Sequence, residues 1–145
     1  MSRYFTLDEA QSLIPEIDVL MDSILESKKV FDAANGELQQ LNSRINMMGG
    51  SLIHPGDILR IRSRKETAGL ALKESSDKLE SYGCQVKDLD LGLVDFPTFY
   101  HGQEVHLCWK KGESEIQFWH GLTEGYEGRK PIDDEFIANH RGGVN

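Results

Sequence analysis

Asp95, Cys108, Glu113, His120 and Arg129 are the residues of this chain whose types suggest chemistry, and all fall between Gly83 and Ile132. A thiolate, an imidazole and a carboxylate together suit zinc or another borderline transition metal. Cys108 and His120 would supply the first two, and Asp95, Glu104 or Glu113 the third, with Asp95 as the leading candidate. No CxxC, HxH or HExxH pattern preorganises a pair of ligands, so they must converge from separate segments. The same residues also permit a Cys108 nucleophile with His120 as base and Asp95 orienting it. Nothing places Cys108 at a helix N-terminus or in a basic pocket, where its pKa would fall. The plainer alternative is a buried structural cysteine and a histidine hydrogen-bonded at a sheet edge.

Other features carry less. Asp88 and Asp90 would share a strand face, as a Mg²⁺ or Ca²⁺ site needs, but so short a motif is common by chance and solvated acids are the better explanation. Gly121, Gly125 and Gly128 surround Tyr126 and lead into Arg129 and Pro131. Arg129 could clamp a carboxylate or phosphate bidentately, or pair with Asp95 or Glu113 and pin the loop to the sheet. Phe96, Tyr100, Trp109, Phe118 and Trp119 could stack bases, but an acidic background favours core roles. Arg60, Arg62, Arg64 and Lys65 read as a solvated basic face, with Glu66 a nearby partner. There is no P-loop, GxGxxG or GxSxG pattern.

These residues need a sheet to position them. After Gly83 the hydrophobic period changes to 2, and segments 85–89, 94–100, 104–110 and 115–120 read as four strands of an antiparallel meander. Val105, Leu107 and Trp109 then face opposite to Glu104, His106 and Cys108. Whether His120 joins Cys108 depends on the hairpin after Lys110: an odd loop brings them to one face, an even loop separates them.

Before Gly83 the period is helical. Thr6 and Glu9 form a capping box, Pro15 predicts a kink or short break, and Gly49-Gly50 ends the first helix. With Ile17 at position a, the heptad seam is Ile17, Ile24, Phe31, Leu38 and Ile45, with Leu20, Ser27, Ala34, Leu41 and Met48 at d. A second helix starts at Pro55 and ends at Gly83, so the two run antiparallel as a hairpin. Val19, Met21, Leu25, Val30, Leu59 and Leu70 lie outside the seam and predict a second apolar surface, which self-association would cover. The polar tail from Asp133 is expected to fray.

The blocks GCQVKDLDLGLVDFP, VHLCWKKGE with IQFWH, and GYEGRKPI, together with YFTLDEAQSLIPEI near the start, resemble the domain of unknown function 2203 family of bacterial proteins. The likeness spans nearly the whole chain. It implies this architecture rather than an activity, and by motif it highlights Asp95, Cys108, Trp109, Glu113, Trp119, His120, Gly128 and Arg129. Tyr126 stands where Phe is commoner in that pattern.

The length of 145 residues fits one structural unit. The fold expected is α+β: a helical hairpin over residues 1–82, kinked near Pro15, followed by a small antiparallel sheet with a Gly-rich loop and polar tail over 83–145. The balance of 16 basic against 24 acidic residues, a net charge of −8, disfavours nucleic acid. No stretch approaches the roughly 18 apolar residues of a membrane span, and the start lacks a signal-peptide pattern. Two cysteines without a disulfide framework suit the cytoplasm. Two functions follow as expectations. One is a self-associating interaction or scaffolding protein, a homodimer through its N-terminal helices that also offers a surface to a protein partner. The other is a metal-binding protein or metal-dependent enzyme, with a transition metal such as zinc held on the sheet.

Overall fold

The computed structural model describes residues 3–48 and 54–143. Helix α1 runs Leu7–Met48 and helix α2 Pro55–Ser81. The capping box forms as expected: Thr6 Oγ1 accepts from the Glu9 amide at 3.1 Å, and Glu9 Oε1 accepts from the Thr6 amide at 3.1 Å. This satisfies two donors that a helix start otherwise leaves unpaired. Pro15 lies inside α1, which continues through it without the break that its missing amide allows. The Gly49-Gly50 stop falls outside the described residues.

The chain forms two compact units, one of residues up to Met21 with those from Asp77 onward, the other Asp22–Ser76. In the second unit α1 and α2 pack together. Phe31 lies against Gly69, where an added Cβ would sit 3.4 Å from its ring, and Arg64 pairs with Glu37 at 2.6 Å. Arg60 pairs with Asp57. The basic run therefore does face acids, though they are Asp57 and Glu37 rather than Glu66. Ile17, Ile24 and Ala34 of the expected seam are buried. Met21, expected on the outer surface, is fully buried as well, while Leu20 is only half-buried. Around Met21 the buried stripe follows 10, 14, 17, 21 and 24, alternating steps of four and three that keep one helix face inward.

The first unit holds the sheet. Its strands are β1 Gln85–Asp88, β2 Leu93–Tyr100, β3 Gln103–Lys110, β4 Phe118–Gly121, β5 Lys130–Pro131 and β6 His140–Arg141. They form an antiparallel sheet in the order β1-β2-β3-β4-β5, with β6 also on β2. Four strands were expected; β5 and β6 are each two residues long, too short to display a period. The free side of β2 is covered in turn by β1, by Phe5, whose amide donates to the Pro97 carbonyl at 2.7 Å, and by β6. The β2–β3 turn is the two-residue His101-Gly102, with φ of 50° and 76°, the positive pair that a type I′ hairpin needs.

The tail does not fray over its described part. Asp133 caps a short helix α3, Asp134–Asn139, by accepting from the Phe136 amide at 2.8 Å. Phe136 is fully buried, stacked on Trp119 at 5.1 Å and close to Tyr100 at 4.6 Å. One sheet face, with Val94, Phe96, Leu107 and Trp109, is core, and Phe5 meets Phe96 edge-on at 5.4 Å. Helix α1 is tied to the far hairpin by Asp18 to Lys111 at 2.5 Å and by Gln11 accepting from the Ile116 amide at 2.7 Å.

Candidate metal centre

Residues 109–117, an odd number, separate Cys108 from its cross-strand partner Phe118, and the same register sets His106 opposite His120. The odd loop puts His106, Cys108 and His120 on one face. Asp95 joins them from β2, directly across from Cys108. This is the face opposite the core, yet the cluster is hardly exposed: Asp95 1%, His106 7%, His120 5% and Cys108 0%.

Asp95 Oδ2 lies 3.0 Å from His120 Nε2 and 3.3 Å from His106 Nδ1. The outer nitrogen of each ring also faces an acceptor. His120 Nδ1 is 2.8 Å from the Gly121 carbonyl, and His106 Nε2 is 3.6 Å from Glu104 Oε2. Glu104 is itself held by the Tyr4 hydroxyl, which donates to Oε1 at 2.8 Å. A carbonyl can only accept, so His120 Nδ1 carries a proton, and the Glu104 carboxylate favours one on His106 Nε2. Neutral rings would then turn lone pairs toward a carboxylate. That conflict is relieved by a second proton on His120, by the neutral His106 tautomer that donates Nδ1–H to Asp95 at 3.3 Å, or by a metal between the three groups.

The protonated solution is visible in the electrostatics. The Asp95 hydrogen bond, assisted by Cys108 and the Gly121 carbonyl, outweighs burial and raises the His120 pKa to about 10. Burial pushes Asp95 upward, but hydrogen bonds from His106 and His120 overcome it and hold its pKa at about 2. The metal solution fits the spacing. Asp95, His106 and His120 each offer one ligand atom, all within 4.8 Å of one another. A tetrahedron with bonds of about 2.0–2.1 Å has edges of about 3.3 Å, near the two short separations. Asp95 Oδ1 is buried without a hydrogen-bond partner among the described residues. The outer-nitrogen contacts match the orienting partners that metal-ligating histidines commonly have. A cavity of about 140 Å³ opens on the cluster, lined among others by Lys87, Leu93, Cys108, Leu122, Glu124 and Tyr126.

Of the residues singled out by sequence, Asp95, Cys108 and His120 come together. Glu113 and Arg129 instead form a separate pair at 2.7 Å. Arg129 also donates to the Cys108 carbonyl at 3.3 Å and lies 4.2 Å from the Phe118 ring centroid, while Glu113 Oε1 accepts from the Lys110 amide. They pin the loop before β5 to the hairpin, the structural alternative for Arg129. Glu104 takes an outer position behind His106. Sequence reasoning missed His106 as a member of the cluster, although strand alternation already placed it beside Cys108. What was lacking was the loop parity that sets His120 opposite.

A Cys–His–Asp relay needs the thiol and the carboxylate on different ring nitrogens. Here the carboxylate is on Nε2 and a backbone carbonyl is on Nδ1, so the geometry is not that of a relay. Asp88 and Asp90 do not share a strand face either: β1 ends at Asp88, which caps the turn by accepting from the Leu91 amide at 2.9 Å. Cys84 is buried and donates to the Leu79 carbonyl at 3.3 Å, and burial pushes its thiol up to about 12, as for a structural cysteine. Trp109 is core and Trp119 is stacked on Phe136, so neither offers a free platform for bases. No helix among the described residues is long and apolar enough to cross a membrane.

No curated protein and no solved structure matches the chain. The family described as an uncharacterized conserved protein, DUF2203, matches residues 3–132 with the site and both helices inside the match, and the chain belongs to that family.

Proposed function

We propose that the protein binds one divalent transition metal ion, of the zinc or iron(II) kind, through Asp95, His106 and His120. One observation carries this reading: Asp95, His106 and His120 bring one ligand atom each within 4.8 Å of one another in a buried place, with an acceptor beside the outer nitrogen of each ring. Two histidines and a carboxylate with positions left open are a donor set for metal chemistry as well as storage. The test is the metal content of protein purified without affinity tag or chelator. Near-stoichiometric metal is expected in the wild type and in Cys108→Ser, and its loss in Asp95→Asn and His106→Ala. Wild-type protein that carries no metal and takes up neither zinc nor iron(II) at micromolar concentration would end the proposal.

Self-association through the helices is a second reading. Leu59 and Leu70 are 66% and 58% exposed on α2. Eleven residues apart at about 3.6 per turn, they fall on one line of the helix, as a surface meeting a second copy requires. Both cysteines are free thiols, which suits a cytoplasmic setting.

A further inference from the structure

We infer that the cavity over the Asp95–His106–His120 cluster takes a small anion, the size of a carboxylate or bicarbonate, bound at an open metal position and to Lys87. The inference rests on the metal reading above and names what that site would hold. Three protein donors leave a first-row divalent ion short of its usual coordination, and the Cys108 sulfur is not part of the 4.8 Å ligand group. The open position faces the cavity of about 140 Å³, well below the roughly 300 Å³ at which drug-sized ligand pockets begin. Such a space holds several waters or one small ligand.

The charges around it select the sign of that ligand. Among the three ligands only Asp95 carries a negative charge against the metal's two positive ones, and Glu104 lies behind His106, away from the cavity lining. Lys87 on β1 lines the same cavity and makes no ion pair with any described residue. Glu124, the other carboxylate in the wall, is already engaged: it accepts from the Gly121 amide at 2.9 Å and pairs with Lys130 at 2.5 Å. Its side chain folds across Gly121 and Gly128, where an added Cβ would come within 2.8 and 2.7 Å of it. Glu124 therefore closes the loop of the cavity wall and leaves the positive charge unanswered. Leu93, Leu122 and Tyr126 supply apolar wall, which strengthens attraction between the remaining charges.

The full chain, stripped of metal and loaded with Co(II), provides the test, with azide and acetate as probes. The visible spectrum should shift and saturate with either anion. Lys87→Ala should weaken azide binding about fivefold and Lys87→Arg should restore it. A spectrum indifferent to both anions, or a thiolate-to-cobalt charge-transfer band removed by Cys108→Ser, would mean a closed site and overturn the inference while leaving the metal reading intact. Equal azide affinity in wild type and Lys87→Ala would overturn the part given to Lys87. Failure to bind Co(II) at all would overturn the metal reading, and the anion site with it.

Discussion

Asp95 keeps its negative charge where almost no water reaches, and the cost of that burial sets how the protein should respond to pH. In protein stripped of metal, the cation facing it is the His120 proton. The Asp95 pKa falls from 3.8 to about 2, so its contribution is present above 3.8 and is lost as pH drops through about 2. The His120 pKa rises from 6.5 to about 10, so its contribution is full below 6.5 and is lost as pH rises through about 10. These are two sides of one interaction. Asp95→Asn should cost about 3–5 kcal/mol between pH 4 and 6.5. Urea unfolding of chelator-treated protein should show that difference shrinking toward pH 2 and toward pH 10; a difference independent of pH would contradict the pairing. Behind His106, Glu104 and Tyr4 act by orientation. Glu104→Gln should weaken metal affinity about tenfold or more while leaving one site per chain, measured by competition with a chromophoric chelator. At this scale the residue types at Asp95, Cys108 and His120 could be read from sequence because thiol, imidazole and carboxylate are chemically distinct. The roles of His106 and Tyr4 could not, because each depends on a partner about 10 to 100 positions away.

Among the elements, loop parity decides the chemistry. One residue more or fewer between β3 and β4 would turn His120 into the core face and leave Asp95 with a single imidazole. The Glu113–Arg129 pair holds this hairpin: Glu113 joins the Lys110 amide to Arg129, and its carbonyl accepts from Trp109 Nε1 at 2.9 Å. Arg129→Ala should therefore cost about 3 kcal/mol in urea unfolding, since both partners are largely buried. Alternation and turn residues made the first four strands readable, and the capping box located the start of α1. Strands β5 and β6 left no such signal, because two residues cannot show a period. Helix α3 did leave one, Asp133 followed by acids and then Phe136, but the polarity around it masked a single buried aromatic. Phe136→Ala should destabilise by about 3–5 kcal/mol, and a loss under 1 kcal/mol would return the tail to the frayed state expected from composition.

The molecule as a whole carries a net charge of −8 and apolar side chains that its own fold does not cover. An apolar stripe along α1 was readable because the helix is long, although the buried line takes in Met21 rather than Leu20, and a stripe does not say what it packs against. Ile24 is fully buried within the single chain, so its burial needs no second copy. The proposed self-association would instead use exposed residues such as Leu59 and Leu70 on the outer line of α2. Two substitutions separate these roles. Ile24→Asp puts a charge into a packed interior and should cost more than about 3 kcal/mol whatever the oligomeric state. Leu59→Glu with Leu70→Glu should leave the unfolding free energy of the single chain nearly unchanged and abolish the dimer. Like charges on two acidic copies repel, and salt screens that repulsion within about 10 Å at 0.1 M, so the wild-type dimer should tighten as salt is raised. Light scattering coupled to size exclusion, at low and high salt, measures all of this. A wild-type mass of one chain at micromolar concentration under both conditions would remove the dimer and leave the proposed metal site on the sheet as the candidate functional centre.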